Sequence, residues 1–171
     1  MKFRLMGAAV AAAALTVSVA AQANWRFTSW GMSVDQVVAA GKGSKVQAIA
    51  DAEDDRVGDF QRLAVGEIKD AGVDMQVQFY FTPGTKRLAM IRYQPLSEMD
   101  CADLEAAAVR QYGAGKASDA DQQIDTGKGE KMTYTEHSRD WTGPGGDSIG
   151  FMHAMYHGKS LKVCTWVFKP S

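Results

Sequence analysis

The densest group of potential metal ligands in this chain is the segment 152–157, with the sequence MHAMYH. Thioether and imidazole groups are the ligands that copper prefers in proteins. If the segment is a strand, His153 and His157 lie on one face about 13 Å apart, at about 3.3 Å per residue, which is too far for both to bind one ion. We therefore expect no metal centre and no cofactor. A copper or small-ligand carrier that uses Met152, His153, Met155 and His157 is the alternative.

A second group that suggests chemistry is Glu136-His137-Ser138. Nucleophilic hydrolysis requires a hydroxyl or thiol beside a base that a third group holds. Consecutive side chains of a strand point to opposite faces, so His137 faces away from both neighbours and is expected to be a surface histidine. The chain also lacks a Gly-x-Ser-x-Gly elbow. We predict that the protein is not an enzyme, with a carboxylate-dependent hydrolase as the second alternative.

The chain has two cysteines, Cys101 and Cys164. We predict that they form a disulfide, because both follow a segment that predicts export to an oxidising compartment. The bond would close a long loop, and the chain-entropy estimate of its stabilisation is about 4 kcal/mol.

Tryptophan is the residue type most often found at the energetic centre of interfaces between proteins. Of the four tryptophans, Trp25 follows the predicted export segment and Trp141 precedes a glycine-rich turn. We expect these two to be candidates for contact with a partner. Trp166 shares a strand face with Cys164 and is expected under the second helix, beside the disulfide.

The first 23 residues have the order of a secretory signal peptide. Lys2 and Arg4 precede an uncharged, alanine-rich run, which ends in Ala21-Gln22-Ala23. We predict cleavage after Ala23, export to the periplasm and no permanent membrane anchor. The residue after the cleavage site is Asn24 and not a cysteine, so we expect a soluble chain without a lipid anchor.

Residues 24–171 then form one globular domain with 17 basic and 20 acidic residues, since the predicted leader contains two of the 19 basic ones. This balance makes nucleic acid an unfavourable partner. The length is enough to bury a core without a metal ion.

The positions of polar, apolar and turn residues predict an α+β fold with two helices and an antiparallel sheet. Ser33 and Gln36 form a capping box, which starts a short helix that Gly41 and Gly43 end. Ser97 or Asp100 caps a longer helix that reaches Tyr112 and has Cys101, Leu104 and Ala108 on one face. Strands are expected near 62–69, 73–81, 87–93, 130–141, 147–157 and 159–168, with polar connecting segments at 51–55 and 116–129.

In both halves of the domain, a helix ended by glycines leads through a polar segment to three strands, which end near Pro95 and Pro170. We interpret the halves 24–95 and 96–171 as a possible tandem duplication of a helix and a three-strand meander. Two unrelated meanders with similar turn residues are the alternative.

The segment 31–37, with the sequence GMSVDQV, follows an aromatic residue and a short extended stretch. It resembles the start of the first helix in the SmpA/OmlA (BamE-like) family of exported bacterial proteins, where the pattern is Gly-Met-Ser/Thr-x-x-x-Val. The doubled helix and meander is similar to the layout of beta-lactamase-inhibitor proteins. The chain departs from the first family in lacking the lipidated cysteine, and from the second in having one cysteine pair that spans Cys101 to Cys164.

Both families present a sheet surface to other proteins. The resemblance therefore implies a non-catalytic module that binds another envelope protein, either as an inhibitor or as an assembly factor.

Overall fold

A computed structural model describes residues 24–50, 55–70, 72–96, 101–125, 131–143, 145–157 and 162–171. Four expectations from the sequence fall on other residues: the signal peptide at 1–23, most of the acidic segment at 51–55, the helix caps Ser97 and Asp100, and the strand start at 159–161. These lie outside the described residues.

The first helix, α1 (Val34–Ala40), begins where the capping box predicts. The backbone N–H of Gln36 donates to the Ser33 hydroxyl, and the Gln36 side chain accepts from the backbone N–H of Ser33 at 2.8 Å. The C-cap is Gly41, and Val37 is fully buried. Both ends of the predicted helix are therefore confirmed.

The second helix, α2 (Cys101–Tyr112), buries the predicted face formed by Cys101, Leu104 and Ala108. Gly113 follows with φ of +87°, a conformation that glycine adopts without steric cost. Neither helix of the described part of the chain has the length and apolar composition needed to cross a lipid bilayer.

In the described part of the chain the strands form a two-stranded hairpin and one nine-stranded antiparallel sheet. In chain order they are β1 (Asn24–Trp25), β2 (Thr28–Ser29), β3 (Gln47–Ala48), β4 (Arg56–Val57), β5 (Phe60–Asp70), β6 (Val73–Phe81), β7 (Leu88–Pro95), β8 (Lys116–Asp125), β9 (Lys131–Thr142), β10 (Ser148–Tyr156) and β11 (Lys162–Lys169). The sheet order is β3-β5-β6-β7-β11-β10-β9-β8, and β4 pairs with β5 beside this path. The predicted α+β class and antiparallel sheet are confirmed, although most of the regular structure is sheet.

The polar segment at 116–129 was expected to be a connection, and this prediction is wrong for residues 116–125. These residues form β8, an edge strand that pairs with β9 in continuous register from Lys116 to Asp125. Every residue of β8 is exposed. Because neither face of this strand is buried, its sequence lacks the apolar alternation by which strands are predicted.

Both helices and the β1–β2 hairpin pack on the same face of the sheet, which we call the covered face. Trp25 of the hairpin contacts Phe79 and Phe168, with ring centroids 6.4 and 5.8 Å apart. Val37 of α1 and Leu104 of α2 belong to the same buried cluster. The core therefore lies between the covered face and these three elements.

The predicted disulfide is present, between Cys101 of α2 and Cys164 of β11, with their Cα atoms 5.6 Å apart. Trp166 lies two residues further along β11 and contacts Tyr112 of α2, with ring centroids 6.2 Å apart. Its predicted position under the helix is confirmed.

The sheet has a symmetric layout about its central pair, because β7 and β11 are the last strands of the two halves and pair with each other. The second half contains four strands after its helix, so the prediction of three is wrong there. A common origin of the halves stays a prediction.

Candidate binding surface on the open face of the sheet

The strand register assigns the side chains of the central strands to two faces. Trp166 of β11 pairs with Tyr93 of β7 and with Phe151 of β10, and all three rings belong to the core. Because side chains alternate along a strand, the residues next to these project to the opposite face. Neither helix nor the β1–β2 hairpin packs there, and we call this side the open face.

The open face of the central strands combines buried and half-buried side chains, and those of Gln78, Tyr80, Ala154 and Thr165 are buried. Its half-buried side chains are those of Gln76, Arg92, Gln94, Tyr134, Met152, Tyr156, Val163 and Val167. Tyrosine, methionine and arginine are enriched in protein interfaces, whereas lysine and glutamate are depleted there. The composition of this surface therefore resembles that of an interface.

Hydrogen bonds fix the polar side chains at the middle of the open face. The Tyr80 hydroxyl donates to Oε1 of Gln78 at 2.9 Å, and Nε2 of Gln78 donates to Oε1 of Gln76 at 2.7 Å. On the next strand, Nη2 of Arg92 donates to the Thr165 hydroxyl at 3.3 Å. Nε of Arg92 is buried and has no acceptor among the described residues. The guanidinium as a whole is half-buried, and its charge favours a carboxylate at the surface above it.

Aromatic and thioether groups extend the surface toward β9. Tyr134 of β9 and Tyr156 of β10 are directly opposite each other, with ring centroids 5.2 Å apart. Met152 lies between Thr165 and Ser138 in the register of the neighbouring strands. These groups provide apolar contact area beside the polar centre.

The sequence predicted the alternation that creates this surface but not its role. Gln76, Gln78 and Tyr80 were expected opposite the apolar face of β6, as found. Their side-chain hydrogen bonds connect residues of one strand, but Arg92 and Thr165 are 73 residues apart. Only the antiparallel pairing of β7 with β11 brings these two residues together, and no local spacing indicates it.

The four residues of the alternative metal site do not converge. Met152 lies on the open face, whereas His153 is buried on the covered face, opposite His137 and Cys164. Met155 is 39% exposed, and the His157 ring nitrogen bonds the Thr135 hydroxyl at 2.9 Å. Among the described residues no group of three or more His, Cys, Asp or Glu side chains is arranged to hold a metal ion.

The two tryptophans considered for partner contact are enclosed in the core. Trp25 is 9% exposed, because the β1–β2 hairpin folds its ring against the covered face. Trp141 is 7% exposed, stacks on Trp166, and donates its indole N–H to the carbonyl oxygen of Gly113 at 2.8 Å. Neither ring contributes to the open face.

His137 is not a solvent-facing histidine, which corrects that prediction. One ring nitrogen bonds Glu105 of α2 at 2.9 Å and the other bonds Asp119 of β8 at 2.5 Å. Nε of Arg139 also donates to Glu105, at 2.6 Å. Hydrogen bonds to Asp119 and Glu105 raise the pKa of His137 above its ordinary value. The partners are 18 and 32 residues away, so the spacing in the sequence did not indicate them.

This cluster joins α2 to the outer strands instead of forming a nucleophilic site. Burial alone would raise the pKa of Glu105, but the hydrogen bonds from His137 and Arg139 outweigh it and hold the pKa below its ordinary value. Ser138, the neighbouring hydroxyl, projects to the other face and bonds Ser118 at 2.8 Å. The predicted alternation of Glu136, His137 and Ser138 is confirmed.

Comparison of the chain with known proteins found no matching family model, no matching curated protein and no matching solved structure. The resemblance to the SmpA/OmlA family and to inhibitor proteins therefore stays a prediction from the residues.

Proposed function

We propose that this chain is an exported, non-catalytic protein-binding module of the cell envelope, and that it binds another envelope protein through the open face. The observation that supports this most strongly is the one-sided packing of the sheet. Two helices and a hairpin lie on one face, and the other has a half-buried surface of tyrosine, arginine, glutamine and methionine.

The size of the open face supports the proposal. The seven neighbouring strands from β5 to β8 each have eight residues or more. At about 4.8 Å spacing they span about 29 Å, and each runs for about 25 Å. This area is comparable with the roughly 800 Å² that each partner buries in a standard interface.

The order of its side chains also favours binding. Gln76 is half-buried and is held by the buried pair Gln78 and Tyr80, so its rotamer is restricted before a partner arrives. Side chains that are already ordered lose less entropy on association. Arg92 at the centre favours a partner with a carboxylate at the matching position.

The proposed location depends on the predicted signal peptide and agrees with the disulfide, because disulfides persist in oxidising compartments. In that location the module would inhibit an envelope enzyme or help to assemble an envelope complex.

Site-specific photo-crosslinking tests the proposal. A benzophenone amino acid is placed at Met152 or Tyr156 on the open face, and at exposed Arg110 on α2 as the control. In envelope extract we expect the open-face positions to yield a covalent adduct with a protein and the α2 position to yield none. Equal adducts from both faces, or none from the open face, would refute the proposal.

A charge reversal gives the second arm of this test. Arg92→Glu should abolish the adduct formed from Met152, whereas Arg110→Glu should leave it unchanged. Thermal unfolding of both variants confirms that they are folded. A partner that still crosslinks at full yield to a folded Arg92→Glu variant does not use the centre of the open face.

A further inference from the structure

A cavity of about 330 Å³ lies on the covered face, away from the proposed protein-binding surface. It is bounded by the β1–β2 hairpin, the end of α2, and the loop between β9 and β10. Its walls include the rings of Trp25, Tyr93, Tyr112 and Phe168. A volume of this order is at the lower end of the range for small-molecule sites, which are about 300 to 1,000 Å³.

The charged groups that line this cavity are two carboxylates and one guanidinium, those of Asp70, Asp147 and Arg26. Oδ2 of Asp70 accepts from the Tyr93 hydroxyl at 3.2 Å, and Oδ1 of Asp147 accepts from the Trp30 indole at 3.0 Å. Burial and the nearby Asp70 raise the pKa of Tyr93 well above its ordinary value, so this hydroxyl stays a donor. Both carboxylates are therefore held in fixed positions. With one guanidinium beside two carboxylates, the lining of the cavity has an excess of negative charge.

A cation already occupies part of this site. The Arg26 guanidinium lies over the Trp25 ring, 5.4 Å from its centroid, and Nη2 contacts Oδ1 of Asp70 at 2.9 Å. The faces of aromatic rings attract cations because their quadrupole is negative there. Arg26 thus marks the position that suits a positive charge.

Arg26 is also able to leave that position. It occupies the turn of the hairpin with φ of +53°, a conformation that is unfavourable for a residue other than glycine. Its side chain is 38% exposed, so the guanidinium can move into solvent without passing through the core.

We propose that this cavity binds an amphipathic organic cation, an aromatic or short alkyl group that carries an ammonium. The apolar part lies against the aromatic rings that line the cavity, and the ammonium replaces the Arg26 guanidinium between the Trp25 ring and the carboxylate of Asp70. Asp147 also lines the cavity and adds a second carboxylate to it.

Calorimetric titration with matched probes tests this proposal. Phenethylamine and benzyltrimethylammonium are the cations, 2-phenylethanol is the neutral isostere, and phenylacetate is the anion. We expect the cations to bind at least tenfold more tightly than the alcohol and the anion not to bind. Equal affinity for the cation and the alcohol, or preferential binding of the anion, would overturn the proposal.

Variants of Arg26 and Asp147 test whether the ligand replaces the Arg26 guanidinium or is bound by it. Arg26→Gln should tighten binding of both cations several-fold, because it removes the internal competitor, and Arg56→Gln at an exposed site in β4 is the matched control. Asp147→Asn should weaken cation binding without changing that of the alcohol, because the amide oxygen is still able to accept from the Trp30 indole.

Weaker cation binding by folded Arg26→Gln, or no saturable binding by either the wild type or this variant, contradicts the proposal. Substitution of Arg92 on the open face should leave the titration unchanged, so this proposal and the proposed function fail separately.

Discussion

The two halves of the sheet differ in how their outer strands are held to the helices. Nine of the twelve largest fully buried side chains among the described residues lie before residue 96, including Val37, Val77 and Phe79. The outer strand of the second half, β8, has no buried residue. Its neighbour β9 contacts α2 through the charged cluster of Glu105, His137 and Arg139.

This difference implies unequal local stability within one sheet. The stabilisation that comes from buried apolar area does not depend on pH or redox state. The stabilisation from ion pairs depends on pH, and that from a disulfide depends on the redox state. The β8–β9 region should therefore open more readily than the β5–β7 region, since fewer of its residues are buried.

The largest effect is expected in the apolar half. Phe79→Ala removes a ring that is fully buried under Trp25 and Phe27, and should lower the free energy of unfolding by about 3 to 5 kcal/mol. Ile124→Ala on β8 removes a side chain that is 37% exposed and should cost less than about 1 kcal/mol. Urea unfolding measures both, and similar losses would remove the distinction between the halves.

The second largest loss of stability is expected when the disulfide is removed, since its cysteines are 63 residues apart. The double variant Cys101→Ala/Cys164→Ala should have a free energy of unfolding that is lower by about 2 to 4 kcal/mol, because the unfolded chain gains the entropy of an open loop. In a hydrogen-exchange experiment, the backbone amides of α2 and β8–β11 should lose more protection than those of β5–β7. A uniform loss across the sheet would mean that the two halves open together.

Local patterns were sufficient to predict much of the fold. Ser33 and Gln36 fixed the start of α1 because capping acts over three residues, and β6 was predicted at 73–81 because its apolar side chains alternate. β8 was missed because a fully exposed strand has no such pattern, and is defined only by pairing with β9. The Arg92–Thr165 contact and the cavity beside Trp25 depend on strands and turns that are distant in the sequence, so no motif indicated either site.

The smallest expected effect depends on pH and comes from the charged cluster. The pKa of His137 is raised in the folded chain, so its stabilising contribution is complete below the unfolded value of about 6.5 and is lost as the pH rises through the folded pKa. The pKa of Glu105 is lowered, so its contribution is complete above about 4.5 and is lost as the pH falls through the folded pKa. The two contributions are therefore both present between about pH 4.5 and 6.5.

His137→Gln should accordingly lower the free energy of unfolding at pH 5.5 by roughly 1 kcal/mol, a modest figure because the Asp119 side chain is 70% exposed. The loss should shrink as the pH rises through the folded pKa of His137, because the wild-type imidazole then gives up its charge. His157→Gln is the control, since His157 is exposed and its partner is the neutral Thr135 hydroxyl. A pH-independent loss in His137→Gln would show that the ring acts by packing, and the second half would then resemble the first in how its helix is held.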